Sequence, residues 1–419
     1  MITVKTKMVS THAKQTATSK KAKGVLNQSP NEALEISAYY GFKHFIFPHP
    51  GKSDFEKANE ILSEEGLDKH AETRFQKNLP EKIALLRHYE DKQMYRSQQP
   101  ILLASTYSSS KTGKKRERGE THRVCLEILG SGKSIAEATL IETALQILAL
   151  EGNKNLVVEL NSLGDKESSA RFVRELTAYY RKNISALSSD CRELLKCDPC
   201  TILSCDVEKC QALVEGAPKP MNFLSEQSRN HFREVLEFSE KLKIPYKINH
   251  CLVGSRALVT HTVFEILETD ETGKTLSRAT GFRYNGLIKK LGSRRDVPSV
   301  GISIENITLP KSTVKKSKGT IRGLELYFIQ LGFEAKLKSL AVIETLRQSG
   351  IPMLQSLSRD KLSSQLAIAE ELKIPYTIIM GQKEAMENSV IVRSMATRSQ
   401  ETVPWEKLPE YLKKLKKKK

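Results

Sequence analysis

NHFREVLEFSEKLKIPYKINHCLVGSRALVTHTVFEIL, residues 230–267, decides how the chain is read. Its first half belongs to a helix over 225–242. Strands follow around 246–252 and 261–268. Just beyond, Asp270 to Gly273 (DETG) signals a hairpin turn. GFRYNGLIKKLG (281–292) then reads as a Gly turn into a short helix. Working upstream, an Ala-, Ile- and Leu-rich helix spans 134–151, VVEL (157–160) is a buried strand, and NSLGD (161–165) turns into another helix. Residues 101–130 read as two strands around a basic loop, Ser108 to Gly119, too polar to be buried. Residues 55–100 are mainly helical. NEALEISAYY (31–40) is an amphipathic helix, stopped by Gly41 before the strand FKHFIF (42–47) and Pro48.

Downstream, residues 310–322 are basic and poor in large apolar side chains, as in a linker. Strands at 325–331, 351–357, 376–381 and 389–395 then alternate with helices at 334–348 and 361–372. That order predicts a mostly parallel α/β domain.

The chain has 419 residues, enough for two or three domains, and 39% hydrophobic content, enough for large cores. Lys+Arg total 67 against 49 Asp+Glu, a formal charge of +18. Such an excess suits a polyanion, most simply RNA. Part of it sits in two tails. Residues 1–30 read as a basic disordered tail, in which 1–24 carry six Lys, His12 and no acid, and Lys413, Lys414 and Lys416 to Lys419 form a second cluster. No apolar run approaches the roughly 20 residues of a membrane span. No apolar signal core opens the chain, and seven Cys do not make a disulfide scaffold. The expected setting is the reducing cytoplasm.

Eight stretches share a likeness: CLEILGSGKSIAEATLIETAL (125–145), VVELNSLGDKES (157–168), residues 230–253 of the opening quotation, TVFEIL (262–267), FRYNGLIKKLG (282–292), DVPSVGISI (296–304), LGFEAKLKSLAVIETLRQSGI (331–351) and ETVPWEKLPEYLKK (401–414). In this order they resemble the histidyl-tRNA synthetases, a class II aminoacyl-tRNA synthetase family, over roughly 31–414. The helix–Gly–strand–Pro unit at 31–48 resembles the first class II motif, which forms the family's dimer interface. The resemblance implies an α+β fold: a class II synthetase-like antiparallel-sheet core over 31–309 with an inserted helical subdomain at about 165–245. A linker at 310–323, an anticodon-binding-like α/β domain at 324–414 and a Lys tail at 415–419 follow. It also implies a homodimer, tRNA as partner, and ATP with Mg as cofactors of an active site.

Histidine activation needs cations on the ATP phosphates and on the attacking carboxylate, a task suited to arginine's planar fork. The family's three arginine positions fall here at Ser109, Gly254 and Thr308, and the Glu partner of the first at Lys111. Leu258 and Val259 stand where the family has two Tyr. The resemblance assigns Glu81 and Glu127 to the histidine amino group and Tyr284 to its imidazole. Arg123 replaces a Gln beside the ligand, and Ile83 replaces a Thr. For Glu127 and Tyr284 the plainer reading is a solvent-facing strand residue and packing. Lys114, Lys115, Arg116 and Arg118 form a loop suited to an RNA acceptor stem or to solvent. Arg116 or Arg118 would reach the phosphates only under a different gapping. Arg359, Lys361 and Gln365 match a helix start suited to anticodon RNA, or to solvent.

Cys191, Cys197, Cys200, Cys205 and Cys210 crowd one short window, with Cys197 and Cys200 spaced as CxxC. Four thiolates suffice for a structural zinc, although the remaining spacings match no common finger, and free thiols are the plainer reading. The combined reading is a family member with a degenerate aminoacylation site that keeps dimerisation and RNA binding. Two alternatives stay open: an active histidine–tRNA ligase with a remodelled site, and a regulatory subunit like the family's catalytically inactive ATP phosphoribosyltransferase regulator. That regulator lacks the C-terminal domain seen here.

Overall fold

A computed structural model describes residues 32–64, 75–109, 121–205, 207–308, 326–355 and 360–417. Its larger sheet holds β1 (Lys43–His44), β2 (Ile101–Ser109), β3 (Thr121–Leu129), β4 (Leu156–Ser162), β5 (Tyr246–Ile248), β6 (Thr260–Thr269), β7 (Thr275–Arg283) and β8 (Ser299–Thr308). Their spatial order is β1-β2-β3-β8-β7-β6-β4-β5. Only the two edge pairs, β1 with β2 and β4 with β5, are parallel. The six central strands pair antiparallel, as the family resemblance implied.

Strand periodicity divides this sheet into two faces. On β3, Val124, Leu126 and Ile128 face one core, which the helices Glu32–Tyr39, Ile135–Leu150 and Glu226–Lys241 cover. Cys125 and Leu129 belong to the core on the other face, beneath the helix Leu79–Asp91. Helices Lys166–Lys182, Ser189–Cys197 and Glu208–Glu215 form the interposed helical part, with residues in that same second core.

The C-terminal sheet contains β9 (Leu326–Gln330), β10 (Leu354–Gln355), β11 (Tyr376–Met380), β12 (Ser389–Ser394) and β13 (Gln400–Pro404), ordered β10-β9-β11-β12-β13. The first three are mutually parallel. The last two are antiparallel, so the sheet is mixed and only part of it has the expected parallel order. Of the strand expected over 351–357, the described part is strand only from Leu354 to Gln355, residues 356 and 357 lying outside the described residues, and the lysine run expected as a tail from 415 is helical through Lys417. Leu408, Leu412 and Leu415 anchor that last helix to the first core.

The same core continues from the large sheet into this domain. Helix Phe333–Gln348 contributes Leu340, Ile343 and Leu346, and Phe333 meets Phe238 edge-on at 5.4 Å. Polar contacts close the seam. Tyr40 Oη donates to Glu344 at 2.7 Å, and Arg347 reaches Gln146 at 3.0 Å. Among the described residues no helix is long and apolar enough to cross a membrane.

Candidate active site

Four residues singled out from the sequence come together on the second face of the large sheet. Arg123 and Glu127 occupy alternate positions of β3 and therefore point the same way. Glu81 lies in the first turn of the helix Leu79–Asp91, and Tyr284 directly follows β7. Arg123 pairs with Glu81 at 2.5 Å, bonds Asn78, and lies 4.6 Å from the Tyr107 ring. Tyr284 Oη donates to Glu127 at 2.6 Å. Glu127 is thus not a solvent-facing strand residue, and Tyr284 does more than pack: both are buried and bonded to each other.

The decisive group is Lys82. Its ammonium lies 2.7 Å from Glu127 Oε1, with both side chains about 95% buried, their relative exposures being 5% and 4%. The same nitrogen sits 4.3 Å from the Tyr284 ring and 5.0 Å from the Phe282 ring. Aromatic faces and a carboxylate form the kind of cage that binds an ammonium. LPEKIA (79–84) resembles a family stretch that reads PEGTA, and by that resemblance Lys82 places a cation where the pattern has a glycine and no side chain.

Both carboxylates are therefore neutralised from within. The remaining cavity among Asn78, Glu81, Lys82, Tyr107, Glu127 and Ser303 is about 10 Å³, room for about one water. A Cβ on Gly301 would fall 1.9 Å from Glu127 Oε2, so this carboxylate lies where any larger residue on β8 would stand.

Burial and the nearby Glu127 charge push the Tyr284 hydroxyl well above its ordinary pKa, so it remains a donor. Burial opposes the charge on Arg123. The Cys125 sulfur and Glu81 carboxylate outweigh that penalty and raise its pKa. Burial pushes Cys125 itself up to about 11.

The positions that carry the family's arginines have a different geometry. Ser109 of β2 is in register with Thr121 of β3, and Thr121 with Thr308 of β8, so two of the three positions flank the same residue of β3 from the strands on either side. Gly254 adopts a left-handed φ of +62°. A Cβ there would come 2.6 Å from Val259 Cγ2 and 3.5 Å from Phe75 Cγ. Val259 and Leu258 are buried in the second core. An arginine at 254 is thus opposed by both backbone and packing. Nearby Arg256 is engaged with Asp198 at 2.9 Å and the Cys197 carbonyl at 3.3 Å.

Gly254 borders a separate cleft of about 740 Å³, which Phe75, Asp198, Cys205, Val214 and Cys251 also line. The cysteines do not gather as their spacing suggested. The sulfurs of Cys191, Cys205 and Cys210 lie within 4.8 Å of one another. Cys197 and Cys200 stand apart from that group, next to the Asp198–Arg256 contact.

Lys111, Lys114, Lys115, Arg116, Arg118 and Arg359 lie outside the described residues. Lys361 is exposed at the start of the helix Leu362–Glu371. Gln365 needs correction as an RNA-contacting candidate. It is fully buried, donates to the Gln330 carbonyl at 3.0 Å and accepts from the Gln330 N–H at 3.4 Å. A side chain that fastens a helix to β9 has no free polar edge facing outward. Sequence reading missed Lys82, Asn78 and Ser303. The usable signal was a lysine directly after the Glu of a pattern that has glycine there.

Comparison with known proteins gives consistent results. Residues 326–415 match the family described as anticodon binding domain. The histidine–tRNA ligase of Lysinibacillus sphaericus (strain C3-41) is 32% identical over 290 residues, 68% of each chain. Histidine–tRNA ligase 1 of Shouchella clausii (strain KSM-K16) is 30% identical over 338 residues, 78% of each chain. The apo histidyl-tRNA synthetase structure from S. aureus aligns with a TM-score of 0.50 at 22% identity, covering 91% of this chain and 94% of that one; this is a likeness of fold.

Proposed function

The chain belongs to the histidine–tRNA ligase family, and from that premise we propose that it is a tRNA-binding homodimer whose amino-acid pocket is closed by its own side chains. The Lys82–Glu127 pair carries this reading. In the family a carboxylate at this position receives the ammonium of histidine. Here the protein's own ammonium fills that role, and Arg123 occupies Glu81. An incoming histidine would have to displace both cations and leave them buried without partners, which is strongly unfavourable.

The phosphate side supports the same conclusion. Ser109, Gly254 and Thr308 offer no cation, and one lost preorganised contact typically costs roughly 10²–10³-fold in rate. ATP and Mg would be cofactors only of an open site. RNA binding is supported by the anticodon-binding match and the +18 charge. Lys361 and the basic positions Lys114, Lys115, Arg116, Arg118 and Arg359 are the proposed phosphate contacts. Dimerisation through 32–48 is supported by Ile46, which is 80% exposed in the single chain. A cytoplasmic setting follows from the tRNA partner.

The relatives' own names favour a second reading, an active ligase in which Lys82 and Arg123 withdraw and Arg116 or Arg118 serves the phosphates. Charging of tRNA-His with labelled histidine, on protein free of host synthetase, separates the two. Charging above the uncatalysed background establishes the second reading. No charging, together with tRNA affinity that weakens steeply with salt, supports the first. No tRNA affinity even at low salt would defeat the RNA-binding proposal.

A further inference from the structure

Three cysteines from three successive segments meet in the helical insertion. Cys191 lies in the first turn of the helix Ser189–Cys197, Cys205 follows the turn Pro199–Ser204, and Cys210 lies in the helix Glu208–Glu215. Cys191 Sγ is 3.3 Å from Cys205 Sγ and 3.6 Å from Cys210 Sγ. A disulfide needs about 2.05 Å between sulfurs. Thiolates sharing a tetrahedral zinc, each about 2.3 Å from the metal, stand about 3.8 Å apart. The observed spacing is much nearer the second arrangement.

The surroundings order these sulfurs. Ser188 N–H donates to Cys210 Sγ at 3.5 Å, and Ser188 Oγ accepts from Cys191 N–H at 3.3 Å, so one residue orients two of the three cysteines. Arg192 and Lys209 bond the carbonyls of Leu187 and Ser185, which places two cations beside the turn that carries Ser188. Cys191 and Cys210 are fully buried, whereas Cys205 is half-buried and lines the 740 Å³ cleft, where solvent can supply a further ligand.

We infer that Cys191, Cys205 and Cys210 form a thiolate site for a soft divalent cation, zinc foremost, which ties together the three segments of the insertion. The CxxC pair takes no part: among the described residues the sulfurs that gather within 4.8 Å are those of Cys191, Cys205 and Cys210, and those of Cys197 and Cys200 are not among them. The site is independent of whether the amino-acid pocket is open or closed.

The test is elemental analysis of the reduced full-length protein after zinc loading and removal of loose metal on a chelating column. The expected result is about one zinc per chain, falling at least about tenfold in C205S and C210S and unchanged in C197S and C251S. Cys205 is half-buried, so C205S keeps the proposal testable should C210S fail to fold. Cobalt loading gives a second readout, thiolate-to-metal charge-transfer bands that C205S removes. Wild-type protein without zinc, zinc retained in C205S, or a disulfide mapped between two of these cysteines would each overturn the inference.

Discussion

Two buried ion pairs lie on opposite faces of the large sheet, and they differ in how completely the fold surrounds them. Arg283 and Glu137 pair at 2.5 Å with neither side chain exposed. Arg283 also donates to the carbonyls of Ser131 and Lys133, while Glu137 takes a further contact from His231 at 2.8 Å. Burial would raise the Glu137 pKa, but Arg283 and His231 hold it well below the usual carboxylate range. This network fastens β7 to the helix Ile135–Leu150. Lys82 and Glu127, on the other face, sit against a small residual cavity, and the lysine's other neighbours are two ring faces. One pair is embedded in the framework. The other holds an ammonium much as a pocket holds a ligand.

The comparison breaks most sharply at Glu137. E137A leaves Arg283 charged and unpaired in the core and should cost about 3–5 kcal/mol, read from urea unfolding. A loss below about 1 kcal/mol would mean the network carries little. K82A should cost less, about 2 kcal/mol, because water can enter the vacated space beside Glu127. It should also create a site: methylammonium is expected to raise the melting temperature of K82A but not of the wild type. An equal response in both would remove the ligand-like reading of Lys82. Next is G254A, expected to lose about 1–2 kcal/mol from the left-handed backbone and the Val259 contact. Neutral or stabilising behaviour would show that position 254 has room for the family's side chain.

The smallest effect concerns acid stability. Burial, with help from His231 and Arg283, holds the His261 pKa down to about 4. The unfolded imidazole takes its proton near 6.5. The stability from a neutral His261 is therefore full above about 6.5 and is lost as pH falls toward 4. H261N suits the φ of +52° and should flatten the melting profile across that window. An unchanged profile would assign the acid sensitivity elsewhere.

The strands over 101–130 were legible, but not which way their side chains point: Val124, Leu126 and Ile128 of β3 enter one core, and Cys125 on the opposite face enters the other. The C-terminus was harder: resemblance placed 401–414 in the domain without marking β13, and the lysine run from 415 read as a tail, whereas the helix Leu408–Lys417 carries through Lys417 from the core contacts of Leu408 and Leu412. The site was half legible. Glu81, Arg123, Glu127 and Tyr284 follow from pattern matching, but pattern cannot say that a helix lysine points inward to neutralise one of them. Gln365 failed for the converse reason: a polar helix residue looked solvated, while its amide matched the β9 backbone. The CxxC spacing drew attention to Cys197 and Cys200, whereas tertiary folding joined Cys191, Cys205 and Cys210.

The central claim is that the amino-acid pocket is occupied by the protein itself. Its most direct test is calorimetric titration of the folded wild-type protein with a non-hydrolysable histidyl-adenylate analogue. The account predicts no saturable heat for the wild type up to millimolar ligand. Stoichiometric, saturable binding to the wild type would show that Lys82 and Arg123 yield the pocket, and would contradict it.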